Sequence, residues 1–283
     1  MKACDNIKGI FLIIVICLFA GIASAQPIGV DWTSVGQIKL DSPPLDVEST
    51  PDGDLIFVLV PGKVAVYEKS ASRQLSQILV DKSYNRLTYS AKNERLVLTS
   101  SVTNELKIIQ IDRVYDISVE GSPFLGPENA SITIAVFDDY ECPYCAKMEA
   151  VFSQLLAKYP KDVKLVIKQY PLRNHPTARQ SALAVLAANK QGKFWEFHSQ
   201  LFANHDALST QKLDEIAKSF DLDMTKFKED LMSQDVVSLI VRDVREGQKI
   251  GVSGTPTIFV NGKQIKDRTF RAMDKLIERE LAK

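Results

Sequence analysis

Two cysteines spaced for redox chemistry stand in Phe137-Asp138-Asp139-Tyr140-Glu141-Cys142-Pro143-Tyr144-Cys145-Ala146-Lys147-Met148. A β-branched run, Ile132-Thr133-Ile134-Ala135-Val136, precedes them and reads as a buried strand. After them, Met148, Val151, Phe152, Leu155 and Tyr159 recur at helical spacing. The pair therefore lies where a strand turns into a helix. Pro143 suits the first helical turn, where its missing N–H costs nothing. A thiol at Cys142 faces unpaired N–H groups and the positive end of the helix dipole, which favour the reactive thiolate. Cys145, one turn on, is placed to close a Cys142–Cys145 disulfide. Cys142 reads as the nucleophile at an exposed helix start, and Cys145 as the resolving thiol.

The rest of the chain narrows what that pair is for. At 283 residues, two domains are expected. Acidic and basic residues balance at 35 each, so composition gives no case for nucleic acid as a partner. Residues 1–25 read as a signal peptide: Lys2 and Lys8, an apolar core from Ile10 to Ala20, and Ala23-Ser24-Ala25 before Gln26. An uncleaved anchor is the alternative, although the apolar core is shorter than the ~20 residues of a spanning helix. A periplasmic or otherwise exported protein follows, cleaved near Ala25. Cys4 and Cys17 then leave with the signal, so the mature chain keeps one close pair. Bridging so short a loop adds little stability. A closed zinc site needs four ligands, and His175, His198 and His205 are the remaining histidines. No metal and no cofactor are expected.

Residues 26–117 have a different texture and read as a small all-β domain. Strand-like runs Leu55–Val60 and Lys63–Tyr67 are matched about 41 residues later by Arg95–Thr99 and Leu106–Ile111. Two blade-like repeats of a propeller, or a small antiparallel sheet or sandwich, fit this pattern. The edges of such repeats invite a second copy, so a homodimer through 26–117 is expected. Residues 118–130, rich in turn formers, read as a linker. Beyond the cysteine helix come a second strand at Val163–Tyr170 and helical stretches from Ala178 to Ile250. A hairpin with a type I′ signal at Asn261-Gly262 and a closing helix capped by Thr269 complete the chain.

Residues 131–283 resemble the DsbA family of exported thiol–disulfide oxidoreductases. Three stretches carry the likeness in family order: Asp139–Cys145; Tyr170-Pro171-Leu172-Arg173-Asn174-His175-Pro176 with Phe194-Trp195-Glu196-Phe197-His198; and Gly251-Val252-Ser253-Gly254-Thr255-Pro256-Thr257 running on to Gly262. The resemblance implies an α/β thioredoxin fold with a helical insertion at about 172–250. It further implies that Pro256 is cis beside the cysteines and that Thr255 offers its backbone to an extended substrate. Reduced or unfolded proteins would be substrates, and a DsbB-like membrane protein would reset the pair. Where many relatives carry an acid six residues before the nucleophile, this chain has Val136, leaving Asp138, Asp139 or a water to deprotonate Cys145. His175 and His198 read as packing residues of the family motifs. Pro143, Tyr144 and Glu141 are expected to tune the pair. Asp138, Asp139 and Glu141 should raise the thiol pKa, and Tyr144 stands where strong oxidants carry histidine, so a weaker oxidant is expected. A disulfide isomerase or reductase, working from reduced Cys142 in a dimer, is one alternative, and a redox-inert binding or assembly protein is another.

Overall fold

A computed structural model of the chain describes residues 31–70 and 73–283, so the signal-peptide reading and its Ala25 cleavage site lie outside the described residues. Two compact units divide the chain: the described residues up to Ala91 with Leu96–Ile108, and Lys92–Arg95 with Ile109–Lys283. Among the described residues, no helix is long and apolar enough to cross a membrane.

The N-terminal part is all β. Strands β1 (Asp46–Ser49), β2 (Leu55–Val60), β3 (Lys63–Glu68) and β4 (Gln74–Leu79) form an antiparallel sheet in chain order. Strands β5 (Arg86–Ser90), β6 (Arg95–Ser100) and β7 (Glu105–Gln110) form a second sheet, also in chain order. The repeat seen in the sequence is real in the strands: β1, β2 and β3 start at 46, 55 and 63, and β5, β6 and β7 at 86, 95 and 105. Asp46 Oδ2 accepts from Leu87 N at 2.9 Å, tying the first strand of one sheet to its counterpart in the other. Phe57, Leu59, Val64, Leu96 and Leu98 are buried, so the apolar runs of β2, β3 and β6 supply the core. Among the described residues, the second sheet has no fourth strand corresponding to β4.

The C-terminal part is a thioredoxin-like α/β fold. Its sheet has the order β12-β11-β9-β10-β8, built from β8 (Phe124–Leu125), β9 (Ile132–Asp138), β10 (Val163–Gln169), β11 (Thr257–Val260) and β12 (Lys263–Gln264). β9 and β10 pair in parallel through helix α1 (Pro143–Lys158), and β11 runs antiparallel to β9. Between β10 and β11 lie α2 (Ala178–Asn189), α3 (Phe194–Ala203), α4 (Thr210–Ser219), α5 (Met224–Asp230) and α6 (Gln234–Lys249); α7 (Phe270–Leu281) closes the chain. Both β9 and β10 are buried almost throughout, as a central parallel pair covered on two faces must be. Asn261 and Gly262 both take positive φ, the conformation of a type I′ turn, which only residues such as these adopt readily. Asp223 caps α5 and Thr269 caps α7 through their side chains.

The proposed linker needs correction. Phe124 and Leu125 pair with Val166 and Leu165 as an edge strand. Upstream, Tyr115 and Ile117 pack against the cluster of Phe137, Tyr170, Val252 and Phe259. The turn residues Gly121, Pro123 and Gly126 conceal a segment that belongs to the domain.

A buried ion pair locks this segment down. Lys168, on β10 and fully buried, lies 2.6 Å from Asp243 and 3.0 Å from Glu246, both on α6. Its ammonium also donates to Ser118 O at 2.7 Å, and Glu246 accepts from Ser118 N at 2.7 Å. Removing one partner leaves a desolvated charge, whereas an exposed pair would contribute little. Asp243→Ala is therefore expected to cost about 3–5 kcal/mol in urea unfolding; a loss under about 1 kcal/mol would show that the pair is not the constraint it looks to be.

Candidate functional site

Cys142 is the N-cap of α1, with extended backbone (φ −80°, ψ 115°), and Pro143 opens the helix. A sharp turn between β9 and α1 makes this possible. Asp139 Oδ1 accepts from Glu141 N at 2.8 Å, and Asp139 O accepts from Cys142 N at 3.1 Å. The other oxygen of the buried Asp139 carboxylate accepts from Leu172 N at 2.7 Å and lies 3.0 Å from His175 Nδ1. One aspartate thus shapes the turn and binds it to the segment after β10. Glu141 turns towards α2, accepting from Thr177 N at 2.6 Å and from Thr177 Oγ1 at 3.3 Å.

The second wall of the site is the segment before β11. Its Thr255–Pro256 peptide bond is cis. Thr257 Oγ1 donates to Gly254 O at 2.7 Å, and Tyr170 Oη donates to Val252 O at 2.8 Å, which hold the segment against the sheet. Gly247 on α6 lets the helix come in behind it: a Cβ there would meet the Tyr170 ring at 2.6 Å. Cys142 Sγ lies 3.4 Å from Thr255 O, to which it donates when protonated.

Both cysteines are free thiols here and both are buried, Cys142 at 4% exposure and Cys145 at 0%. Exposure therefore does not distinguish them, contrary to the picture of an open helix start. Electrostatics does. The Cys142 thiol is pulled down to about 5, first by a hydrogen bond from the Cys145 thiol. The Thr255 hydroxyl, buried without another partner, and the backbone N–H groups of Cys145 and Tyr144 add to it. Burial pushes the Cys145 thiol far up, and the neighbouring Cys142 and Asp138 push the same way. Asp138 is 1% exposed, and burial likewise raises its carboxyl well above the usual range. A carboxyl that burial drives towards its protonated form therefore sits beside the resolving thiol. The expectation that Asp138, Asp139 and Glu141 hold the Cys142 pKa up is overturned. Burial drives Asp138 towards its neutral form, while the other two carboxylates are turned to the N–H groups of Glu141, Leu172 and Thr177.

Tyr144 points outward, 64% exposed, with the Lys147 ammonium 5.5 Å from its ring centre. Its backbone N–H, rather than its phenol, reaches the thiolate. Thr255 was legible only as part of a substrate-pairing backbone; the approach of its carbonyl to Cys142 Sγ depends on a fold-level juxtaposition of residues 113 apart. Among the described residues, no cluster of histidine, cysteine or carboxylate side chains is arranged to hold a metal.

Residues 118–279 match the thioredoxin family. The chain belongs to that family. This thioredoxin domain is of the DsbA type, and solved structures share its fold. BdbD of Bacillus subtilis, in its oxidised form, is 29% identical, covers 61% of this chain and 99% of its own, and superposes with a TM-score of 0.54. A thioredoxin-like oxidoreductase from Silicibacter pomeroyi is 27% identical, covering 58% of this chain and 94% of its own at a TM-score of 0.52. The chain is also 37% identical over 155 residues to a protein named Na(+)/H(+) antiporter NhaA 3 from Salinispora tropica. That match takes in 54% of this chain but 24% of the other protein, so the chain spans about a quarter of the length of that relative.

The geometry sets the reactivity of the thioredoxin pair. With its folded pKa depressed to about 5, Cys142 is thiolate above that pH and loses nucleophilicity as pH falls through it. Iodoacetamide should label Cys142 of the reduced protein with a midpoint near pH 5 while leaving Cys145 unlabelled. Cys145→Ala should move that midpoint upward, because it removes the largest stabilising hydrogen bond. Equal labelling of both thiols, or a midpoint near the ordinary thiol value of about 8.5, would contradict the arrangement.

Proposed function

We propose that this protein is an exported dithiol–disulfide oxidoreductase acting on reduced or unfolded proteins. The observation that carries the reading is the unequal pair: a Cys142 thiolate at the Thr255–Pro256 edge, beside a Cys145 held as thiol. From the oxidised enzyme, a substrate thiolate attacks Cys142 Sγ. The Cys142–Cys145 bond breaks, and its electron pair leaves on Cys145, which takes a proton from Asp138. A second substrate thiolate attacks the substrate sulfur of the mixed disulfide and expels Cys142, a good leaving group because its thiolate is stable. Two electrons pass from substrate to enzyme, and a membrane redox partner of the DsbB kind would remove them. Thr255, at the edge of the cis segment, offers a backbone on which an extended substrate can lie. The signal-like residues 1–25 and the periplasmic origin expected from the family likeness support export.

Peptide-dithiol oxidation tests this directly. Wild type should turn over; Cys142→Ala should lose at least about a hundredfold of activity, and Cys145→Ala should accumulate a mixed disulfide on Cys142. Turnover that survives Cys142→Ala would leave the thioredoxin domain a scaffold.

Isomerase action in a dimer is the second reading. Leu75 and Leu79 on β4, and Leu106 and Ile108 on β7, are exposed apolar side chains on edge strands, which suits pairing with a second copy. Sedimentation should then show a dimer at micromolar concentration; a monomer throughout would remove the dimer and the isomerase reading with it.

A further inference from the structure

Asp138 must regain the proton it gives to Cys145, yet it is sealed from water. On the core side of the cysteine pair lies a set of polar side chains that nothing above uses. Gln169 is the register partner of Asp138 across β9 and β10, and both side chains are buried. Asp138 Oδ2 and both polar atoms of the Gln169 amide have no hydrogen-bonding partner of good geometry in the protein. Two residues along from Asp138, Tyr140 is 1% exposed, and its hydroxyl lies beside the Gln169 amide and within the field of Asp138. Tyr140 Oη is 3.0 Å from His198 Nδ1, and His198 Nε2 is 3.1 Å from Glu149 Oε2. His198 is buried, whereas the Glu149 side chain is 30% exposed.

We propose that Tyr140, His198 and Glu149 form the route by which the buried Asp138–Cys145 pair exchanges its proton with solvent. The inference rests on the reading of Asp138 as the acid for Cys145. When the disulfide opens and Cys145 takes the Asp138 proton, the Tyr140 hydroxyl passes its proton to Asp138, across the polar gap beside Gln169. Tyr140 oxygen takes the Nδ1 proton of His198, and His198 Nε2 takes one from Glu149, which draws it from water. One proton enters from solvent, one ends on Cys145, and no charge is left inside. The transfers run together, because burial disfavours a resting Tyr140 phenolate. Oxidation of the pair runs the same route outward.

Only an imidazole fits this position in both directions, since its two nitrogens exchange donor and acceptor roles. The rings of Tyr140, Phe194, Trp195 and Phe202 stand 4.9–5.5 Å from that of His198 and enclose it. Packing alone accounts for such a cage, but not for two hydrogen bonds in line, one to a buried phenol and one to the carboxylate of a side chain that is 30% exposed.

The test is the rate at which dithiothreitol reduces the Cys142–Cys145 disulfide of the full chain, in H2O and in D2O. Tyr140→Phe, His198→Gln and Glu149→Gln each keep size or hydrogen bonding while interrupting proton passage. Each should slow reduction at least about tenfold and enlarge the solvent isotope effect. Glu149→Asp should keep most of the rate, and the alkylation midpoint of Cys142 should stay put in all four, reporting an intact site. If Asp138→Asn slows reduction but Tyr140→Phe and His198→Gln do not, the route is wrong and the role of Asp138 stands. If Asp138→Asn changes nothing, both fall.

Discussion

A single hydrogen bond, from the Cys145 thiol to the Cys142 thiolate across one helical turn, sets the character of this site. It exists only in the reduced protein, because closing the disulfide removes both donor and acceptor. With its pKa lowered to about 5, Cys142 is a thiolate at pH 7, and each pKa unit below that pH stabilises the reduced protein by about 1.4 kcal/mol. That free energy is unavailable to the oxidised form. Under the proposed function, this makes the disulfide the more oxidising member of such couples.

Most of the surrounding fold serves to make that bond one-sided. The buried end of β9 delivers Asp138 beneath Cys145, while Asp139 turns the chain so that Cys142 meets α1 from outside its first turn. Burial then does opposite things to the two thiols. At Cys145 nothing compensates for it, so the proton stays; at Cys142 the hydrogen bond from the Cys145 thiol outweighs it, and the hydroxyl of Thr255 and two backbone N–H groups add to that. The Thr255–Pro256 segment reaches the cysteines because Tyr170 and Gly247 allow close approach behind it. The ion pair of Lys168 with Asp243 and Glu246 fixes α6, and hence that approach.

Periodicity and turn chemistry made much of this legible in the sequence. Ile132–Val136 declared a buried strand, Cys142-Pro143 a helix start, and Asn261-Gly262 a hairpin, each through a local rule. Illegible were the features that depend on partners distant in sequence. Gly121 and Gly126 disguised β8 as a linker, because its pairing with β10 leaves no periodic trace in two residues. Glu141 and Asp139 look like charges beside a thiol, but backbone N–H groups at Leu172 and Thr177 claim them. In the N-terminal sheets, β4 was missed because Gln74–Leu79 is exposed almost throughout and carries no alternating pattern. The aromatic neighbours of His198 read as packing, and nothing local reveals that it also meets Tyr140, 58 residues away.

The reduction potential of the Cys142–Cys145 couple, measured against a glutathione buffer at pH 7, tests the central claim most directly. A thiolate stabilised to about pKa 5 places the couple well above the roughly −270 mV of a reducing thioredoxin, yet short of the roughly −120 mV of the strongest DsbA-type oxidant. A value at or below about −270 mV would mean that the reduced form gains nothing from the Cys145–Cys142 hydrogen bond, and would contradict the reading of the site as an oxidant.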